Sequence, residues 1–267
     1  MRLEAGFLAL AAALVLASAT FAAPDDARGR AVGVRFATSN RLPEERLDAK
    51  LELITTTGGT LSRELTLLKR SGAKPSEDRI VTRFRAPREV AGLGVLTVQQ
   101  PGEDGQWLYL PSTKGAPKRI AAAERDGYFA GTDFTYEDLR SEDPETHDYA
   151  WLREEPAGGE ACDVIEARAR GAEAEVTGYE RRVLWVAKAT ALALRIECYG
   201  RNGKLAKTIA QSDVREVAPG VHRGMRVEVD NPSRGGHRTV LAIVKVDAAP
   251  KLEDRTFTPW FLEHGAK

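Results

Sequence analysis

The sequence predicts a β-dominated, antiparallel fold of one domain, and three observations lead there. Strand-like runs of apolar and β-branched residues follow one another along most of the 267 residues. Turn signals such as Gly200-Arg201-Asn202-Gly203, Pro219-Gly220 and Asn231-Pro232 part them at intervals of roughly ten residues. No strand–helix–strand alternation appears, which argues against a parallel doubly wound sheet.

The first segment is not part of that pattern. "MRLEAGFLALAAALVLASATFAAPDD" carries Arg2, an apolar run from Phe7 to Ala17, and then small residues. It reads as an export signal over residues 1–22, with cleavage after Ala19 or after Ala22, since both satisfy the small-x-small rule. The run is short for a membrane span and no stop-transfer pattern follows. No Cys stands at the cleavage region for lipid attachment. The expectation is a soluble, periplasmic, monomeric chain whose single domain spans residues 23–267. At 42% apolar and 29% charged residues it can bury a real core. Lys+Arg and Asp+Glu both number 39, a balance that argues against nucleic acid as a partner.

"LPEERLDAK" is short and polar, enough for a helical turn or two. "AKLELIT" then alternates, Leu51 and Leu53 against Lys50 and Glu52, and "RELTLLKR" and "DRIVTRFRAP" follow, the last ended by Pro87. "GLGVLTVQQ" and "GQWLYLP" form a hairpin around "PGEDG". "SEDPETHDYAWL" offers a helical stretch beginning near Pro144, with Asp143 as N-cap. A second group of strands comprises "CDVIEARAR", "RRVLWVAK", "LALRIECYG", "KTIAQSDVREV", "HRGMRVEVDNP" and "HRTVLAIVKVDA". Thr258-Pro259 sets up a terminal helical turn through Phe261 and Leu262.

Several strands are apolar on both faces. Val183 and Trp185 oppose Leu184 and Val186, and Trp107 and Tyr109 oppose Leu108 and Leu110. A sheet with one wet face would alternate cleanly. Two arrangements satisfy this pattern: an ordinary two-layer core, or a half-closed barrel around an apolar ligand.

Signals for reaction chemistry are few. His147, His222, His237 and His264 are scattered, so a structural zinc site has little support. There is no Gly-x-Ser-x-Gly elbow and no phosphate-cradling loop, and "RGGHR" at 234–238 reads as a hairpin turn. Cys162 and Cys198 would sit two strands apart in a meander, too far for a bridge, although an oxidising compartment invites one. Asp133, Glu137 and Asp138 are the one carboxylate constellation suited to acid–base work or calcium. Local structure explains them more economically. Asp133 can cap the following turn, Thr135 and Asp138 have capping-box spacing, and Glu137 and Asp138 fall where a helix start favours negative charge. No catalytic residue, metal or cofactor is therefore expected.

"WLYLPSTKGAPKRIAAAERDGYFAGTDFTYEDL", Trp107 to Leu139, resembles the signature of the outer-membrane lipoprotein-sorting (LolA-like) family, in its broader branch. The matching positions are Trp107, Tyr109, Pro111, Lys118, Arg119, Phe129, Gly131, Thr132, Asp133, Phe134, Tyr136, Glu137, Asp138 and Leu139. "RFRAP" upstream, "RRVLWVAKATALALRIECYGRNGKLAKT" and the closing "FTPWFLEHG" extend the likeness over roughly Ile80 to Gly265. The resemblance implies a mostly β, α+β fold: a single curved antiparallel sheet forming an unclosed half-barrel, with short helices plugging its concave side. It implies a carrier of lipid or lipoprotein acyl chains rather than an enzyme, with an inner-membrane lipid exporter as further partner. An envelope sensor or adaptor binding such a membrane partner is the alternative. Trp107, Tyr109, Phe129, Phe134 and Tyr136 become ligand-side or lid aromatics, and Gly131, Asp133, Glu137 and Asp138 give the motif its shape.

Overall fold

β-branched and aromatic residues dominate the strands, and tight turns return each strand antiparallel to the last. The result, in a computed structural model describing residues 26–100, 104–113 and 115–265, is one sheet of thirteen strands. The export signal read at residues 1–22 lies outside the described residues. The first half comprises β1 (Glu44–Ile54), β2 (Thr60–Arg70), β3 (Arg79–Ala86), β4 (Gly94–Val98), β5 (Gly105–Tyr109) and β6 (Lys118–Ile120). The second comprises β7 (His147–Ala157), β8 (Glu160–Ala169), β9 (Tyr179–Ala187), β10 (Ala193–Gly200), β11 (Leu205–Ala218), β12 (Val221–Asn231) and β13 (His237–Asp247). Three short helices accompany them: α1 (Ala27–Thr38), α2 (Gly171–Val176) and α3 (Pro259–His264).

The spatial order is β6-β5-β4-β3-β2-β1-β13-β12-β11-β10-β9-β8-β7, so the two halves are joined by β1 pairing with β13. β6 and β7 are the unpaired edges, and the sheet does not close. Its curvature follows from one segment. Residues 121–146, here the strap, cross the face on which Ala49, Leu51, Leu53, Leu65, Phe84 and Val95 are buried. Tyr136 O accepts from Gln106 on β5, and Asp138 accepts from Tyr179 on β9. On a flat sheet those strands, nine places apart in the order, would lie about 43 Å from each other at ~4.8 Å per strand. Residues two apart in the chain span ~7 Å at most. The sheet is therefore rolled into a half-barrel with the strap inside.

Three sequence expectations change here. "LPEERLDAK" is the opening of β1, not a helical turn, because its residues pair in register with β2 from Glu44↔Arg70 onward. The helix expected from Pro144 stops after a single 3-10 turn, Pro144–Thr146, capped by Asp143 accepting from Glu145 N at 3.0 Å; β7 then begins at His147. Helix α1 falls between the signal and "LPEERLDAK", where the sequence pattern marks no element. In its sequence, ARGRAVGVRFAT, the sheet-facing positions Gly29, Val32, Gly33 and Phe36 have helical spacing but include two glycines, so the apolar face is slight and contact with the sheet holds it. Asp26 caps it, accepting from Gly29 N at 2.6 Å and from Trp151 N of the β7 edge at 2.6 Å. Gly29 and Gly33 let the helix lie directly on β7: a Cβ at Gly29 would stand 2.6 Å from the Tyr149 carbonyl oxygen.

The cysteines are free. Cys162 pairs with Ala187 and Cys198 with Arg182 across β8–β9–β10, so the meander holds. Cys162 packs with Val164 and Trp185 on the outer face, and Cys198 points inward. A strand separates them and they face opposite ways.

Candidate functional site: the inner face of the half-barrel

Residues opposite one another in an antiparallel ladder share a face. One row across the inner face reads Ile165, Leu184, Ile196, Ile209, Val229, Thr239, Leu53. It is an oily floor running through both halves of the sheet, and two coverings lie on it. α1 covers the β7–β10 side with Val32 and Phe36, against Tyr149, Ile165, Leu184 and Val186. The strap covers the β1–β5 side with Phe129, Ala130, Tyr136 and Leu139.

The strap is irregular backbone, so its polar groups need partners of their own. Asp133, fully buried, takes four. Oδ1 accepts from Asn231 Nδ2 at 3.1 Å and Arg234 at 2.9 Å; Oδ2 accepts from Thr239 Oγ1 at 2.7 Å and meets His237 Nδ1 at 2.7 Å. Thr239 Oγ1 accepts in turn from Asp133 N at 2.9 Å. Asp133 is thus a bolt into the β12–β13 hairpin and does not cap the following turn, contrary to the local reading. The hairpin "RGGHR" supplies two of the four partners, so it is more than a turn. Thr135 and Asp138 do form the reciprocal box: Thr135 N donates to Asp138 Oδ2 at 2.6 Å and Asp138 N to Thr135 Oγ1 at 3.4 Å. Asp138 also holds the buried Lys207 ammonium and accepts from Tyr179 OH at 2.8 Å. Gly131 adopts φ +77°, a conformation a glycine takes without strain.

Glu137 is a carboxylate without a cation. It accepts from Thr177 Oγ1 and from Gly178 N at 2.9 Å, and no Lys, Arg or His stands within 4.0 Å among the described residues. Burial pushes its carboxyl above the usual carboxylate range, against those hydrogen bonds and the more distant Arg182. Glu142, five residues on, is the opposite case. Burial disfavours its charge, but the Arg182 guanidinium, His147 and hydrogen bonds from Arg182 and Tyr149 outweigh it and hold the carboxyl down to about 2.

Between the strap and α1 an open hollow of about 550 Å³ remains. Ile196, Ile209 and Cys198 form its floor and Phe36 one wall, while Glu137, Glu142 and other strap side chains form the opposite wall. The cavity is amphipathic rather than uniformly oily. Burial, then the neighbouring Asp138 charge, pushes the Cys198 thiol up to about 12, so it is an inert part of that floor.

The five expected aromatics do not line one surface. Phe129 is buried and stacks on Phe84 with ring centroids 5.3 Å apart; Tyr136 lies tilted against it at 6.3 Å. Phe134 is half-buried in the same strap. Trp107 and Tyr109 point to the outer face, where they pack with Val81, Leu96, Phe257 and Leu262. Strand alternation sends Leu108 inward in their place. The C-terminal segment with α3 covers that outer cluster, so α3 is not a plug of the concave side. Missed by sequence reasoning were Phe36, Arg182, Ile196, Ile209 and Lys207, residues without a local signature that the curvature brings together. Among the described residues no group of three or more His, Cys, Asp or Glu is placed to hold a metal, and no helix is long and apolar enough to cross a membrane.

A family model described as "Uncharacterized protein" matches residues 76–264, well over half the chain. No curated protein matches. Among solved structures, a putative outer membrane lipoprotein-sorting protein domain from Vibrio parahaemolyticus superposes with TM-score 0.81 at 27% identity, covering 89% of this chain and 99% of that one. A DUF1329 family protein from Desulfovibrio piger gives 0.80 at 24% identity, over 88% and 98% of the two chains. A LolA superfamily protein from Nitrosomonas europaea gives 0.67 at 17% identity, over 86% and 97%. An unclosed thirteen-strand sheet and a strap carrying the Phe-x-Gly-Thr-Asp-Phe-x-Tyr-Glu-Asp-Leu motif go with these likenesses: the chain belongs to the family that the matching family model describes, and it shares the fold of the outer membrane lipoprotein-sorting protein domain and of the LolA superfamily protein.

Proposed function

We propose that the protein is a periplasmic carrier of lipid or lipoprotein acyl chains in envelope trafficking, and that the chain lies over the inner floor beside the strap. The observation that carries this is the hollow of about 550 Å³ with the partly buried Ile196 and Ile209 beneath it. Such a volume is typical of a small-molecule site. Burying about ten methylenes there contributes on the order of 8 kcal/mol before the entropy of ordering, with no covalent step needed. Longer chains would displace Phe129, Tyr136 and Leu139 from the β1–β5 floor, making those side chains the lid. The export signal read at residues 1–22 agrees with work in the periplasm.

The test is native mass spectrometry of protein purified from the cell envelope, followed by transfer of a fluorescent acyl lipid from vesicles. Wild type should carry lipid, and Ile209→Asp should lose at least about tenfold in affinity, the effect of a charge set in the oily floor. No lipid in any preparation, and no uptake in vitro, would end this reading.

A second reading, an envelope adaptor for a membrane partner such as a lipid exporter, is favoured by the firmness of the Asp133 bolt. A strap fixed that strongly suits a rigid docking body. Capture of an exporter component by Ile209→Asp as efficiently as by wild type would select it.

A further inference from the structure

Most of the oily floor is already taken by the protein itself. In the row across the inner face, Ile165, Leu184, Val229, Thr239 and Leu53 are buried, and only Ile196 and Ile209 keep partial exposure. Those two stand opposite each other on β10 and β11 and floor the hollow, with Phe36 of α1 beside them. An incoming chain finds the open part of the floor there, between α1 and the strap.

Volume limits what can enter. A cavity of ~150 Å³ accommodates the six carbons of benzene, which sets about 25 Å³ per carbon. At that density a hollow of about 550 Å³ holds roughly twenty carbons. One acyl chain of ~16 carbons fits with the first atoms of its head, whereas two such chains need ~800 Å³.

Making more room means moving a wall. On the strap side, the Asp133 carboxylate takes Asn231, Arg234, Thr239 and His237, and Asp138 holds the buried Lys207. On the other side, Asp26 ties α1 to the β7 backbone, and Arg28, Arg30 and Arg35 pair with Glu154, Glu145 and Asp163. A buried charge network is lost only at a large penalty, while a side chain turns aside with little. A longer single chain asks only Phe129, Tyr136 or Leu139 to turn. A second chain beside the first asks the strap backbone or α1 to leave.

We infer that the hollow takes amphiphiles with one acyl chain, such as lysophospholipids or free fatty acids, and rejects diacyl and triacyl lipids. This rests on the carrier reading and names the cargo class within it: single-chain lipid rather than a multi-chain anchor.

The experiment incubates the full-length mature protein with vesicles containing monopalmitoyl- and dipalmitoyl-phosphatidylcholine, which share a head and differ in chain number. The protein is then separated and its bound lipid read by native mass spectrometry. Relative to its proportion in the vesicles, the monopalmitoyl lipid should be enriched at least about a hundredfold, because a second chain left in water forfeits the burial of its methylenes. Phe36→Ala removes a ring from the wall and should reduce that preference by about tenfold. Should that variant fail to fold, Ile209→Trp fills the floor and should abolish retention of the monopalmitoyl lipid. A preference or retention unmoved by these changes would put the chain outside the hollow and overturn the inference. Equal partition of the two lipids overturns it as well and leaves the carrier reading standing. No retention of either lipid, nor of palmitate offered in the same way, removes the carrier reading and this inference together.

Discussion

The two coverings of the inner face solve one problem in different ways. α1 satisfies its backbone internally; the Asp26 cap and two glycines settle it on β7, and Arg28, Arg30 and Arg35 tie its side chains to Glu154, Glu145 and Asp163. The strap's internal hydrogen bonds make only single 3-10 turns and one bridge, and it is pinned by buried charges reaching strands of the far half: Asp133 to β12, β13 and the hairpin between them, and Asp138 to β9 and β11. A helix needs outside polar partners only for its end and its side chains, whereas an irregular segment needs them for its backbone as well, as Tyr136 O takes from Gln106 and Asp133 N gives to Thr239.

The largest expected effect tests the bolt. Asp133→Ala leaves Arg234 and Thr239 facing an empty site and should cost about 3–5 kcal/mol, the range for breaking a buried ionic network. At ~2–4 °C per kcal/mol for a domain of this size, the loss is easily read by thermal melting. A change below ~1 kcal/mol would mean that the Asp133 contacts do not hold the strap, leaving that role to Asp138 and the packing of Phe129, Tyr136 and Leu139.

Next comes Glu142→Gln. The folded carboxyl titrates at about 2, below its unfolded value, so its contribution is present at neutral pH and lost as pH falls from about 4.5 toward 2. The shift corresponds to about 3 kcal/mol at neutral pH. Urea unfolding across that window should show the variant and wild type converging in acid; a constant gap would assign the loss to packing.

Gly29→Ala probes the helix side. Its Cβ would press on the β7 backbone at 2.6 Å, and lifting α1 should cost about 2 kcal/mol. Hydrogen exchange should report loosening confined to α1 and β7, with the strap protected as before. Coupled loosening of the strap would merge the two coverings into one unit.

The smallest effect is expected outside the barrel. Trp260 on α3 is 54% exposed and stacks only on His264. Trp260→Ser should change stability by less than ~0.5 kcal/mol and leave acyl-lipid uptake intact, since α3 packs on the face away from the hollow.

Local chemistry was legible in the chain. The Thr135–Asp138 box, the Asp143 cap, the Thr258 cap accepting from Phe261 N at 3.3 Å and the hairpin glycines 235 and 236 all act within a few residues. β7 and the start of β1 were misread because charge and Pro outweighed alternation there, and pairing with neighbouring strands overrode both. α1 was invisible because its stability comes from the surface it touches.

Alternating and turn residues by themselves determined an antiparallel procession of strands, its hairpins and the motif of the strap, because those depend on neighbours in the chain. Only the tertiary structure decided that Asp133 bolts rather than caps, that Trp107 and Tyr109 face outward, and that Glu137 stands unpaired on a cavity wall. Those facts depend on how far the sheet rolls, which brings residues some hundred positions apart into contact, as with Asp133 and Thr239. Curvature is a property of the whole sheet, and no short stretch of sequence encodes it.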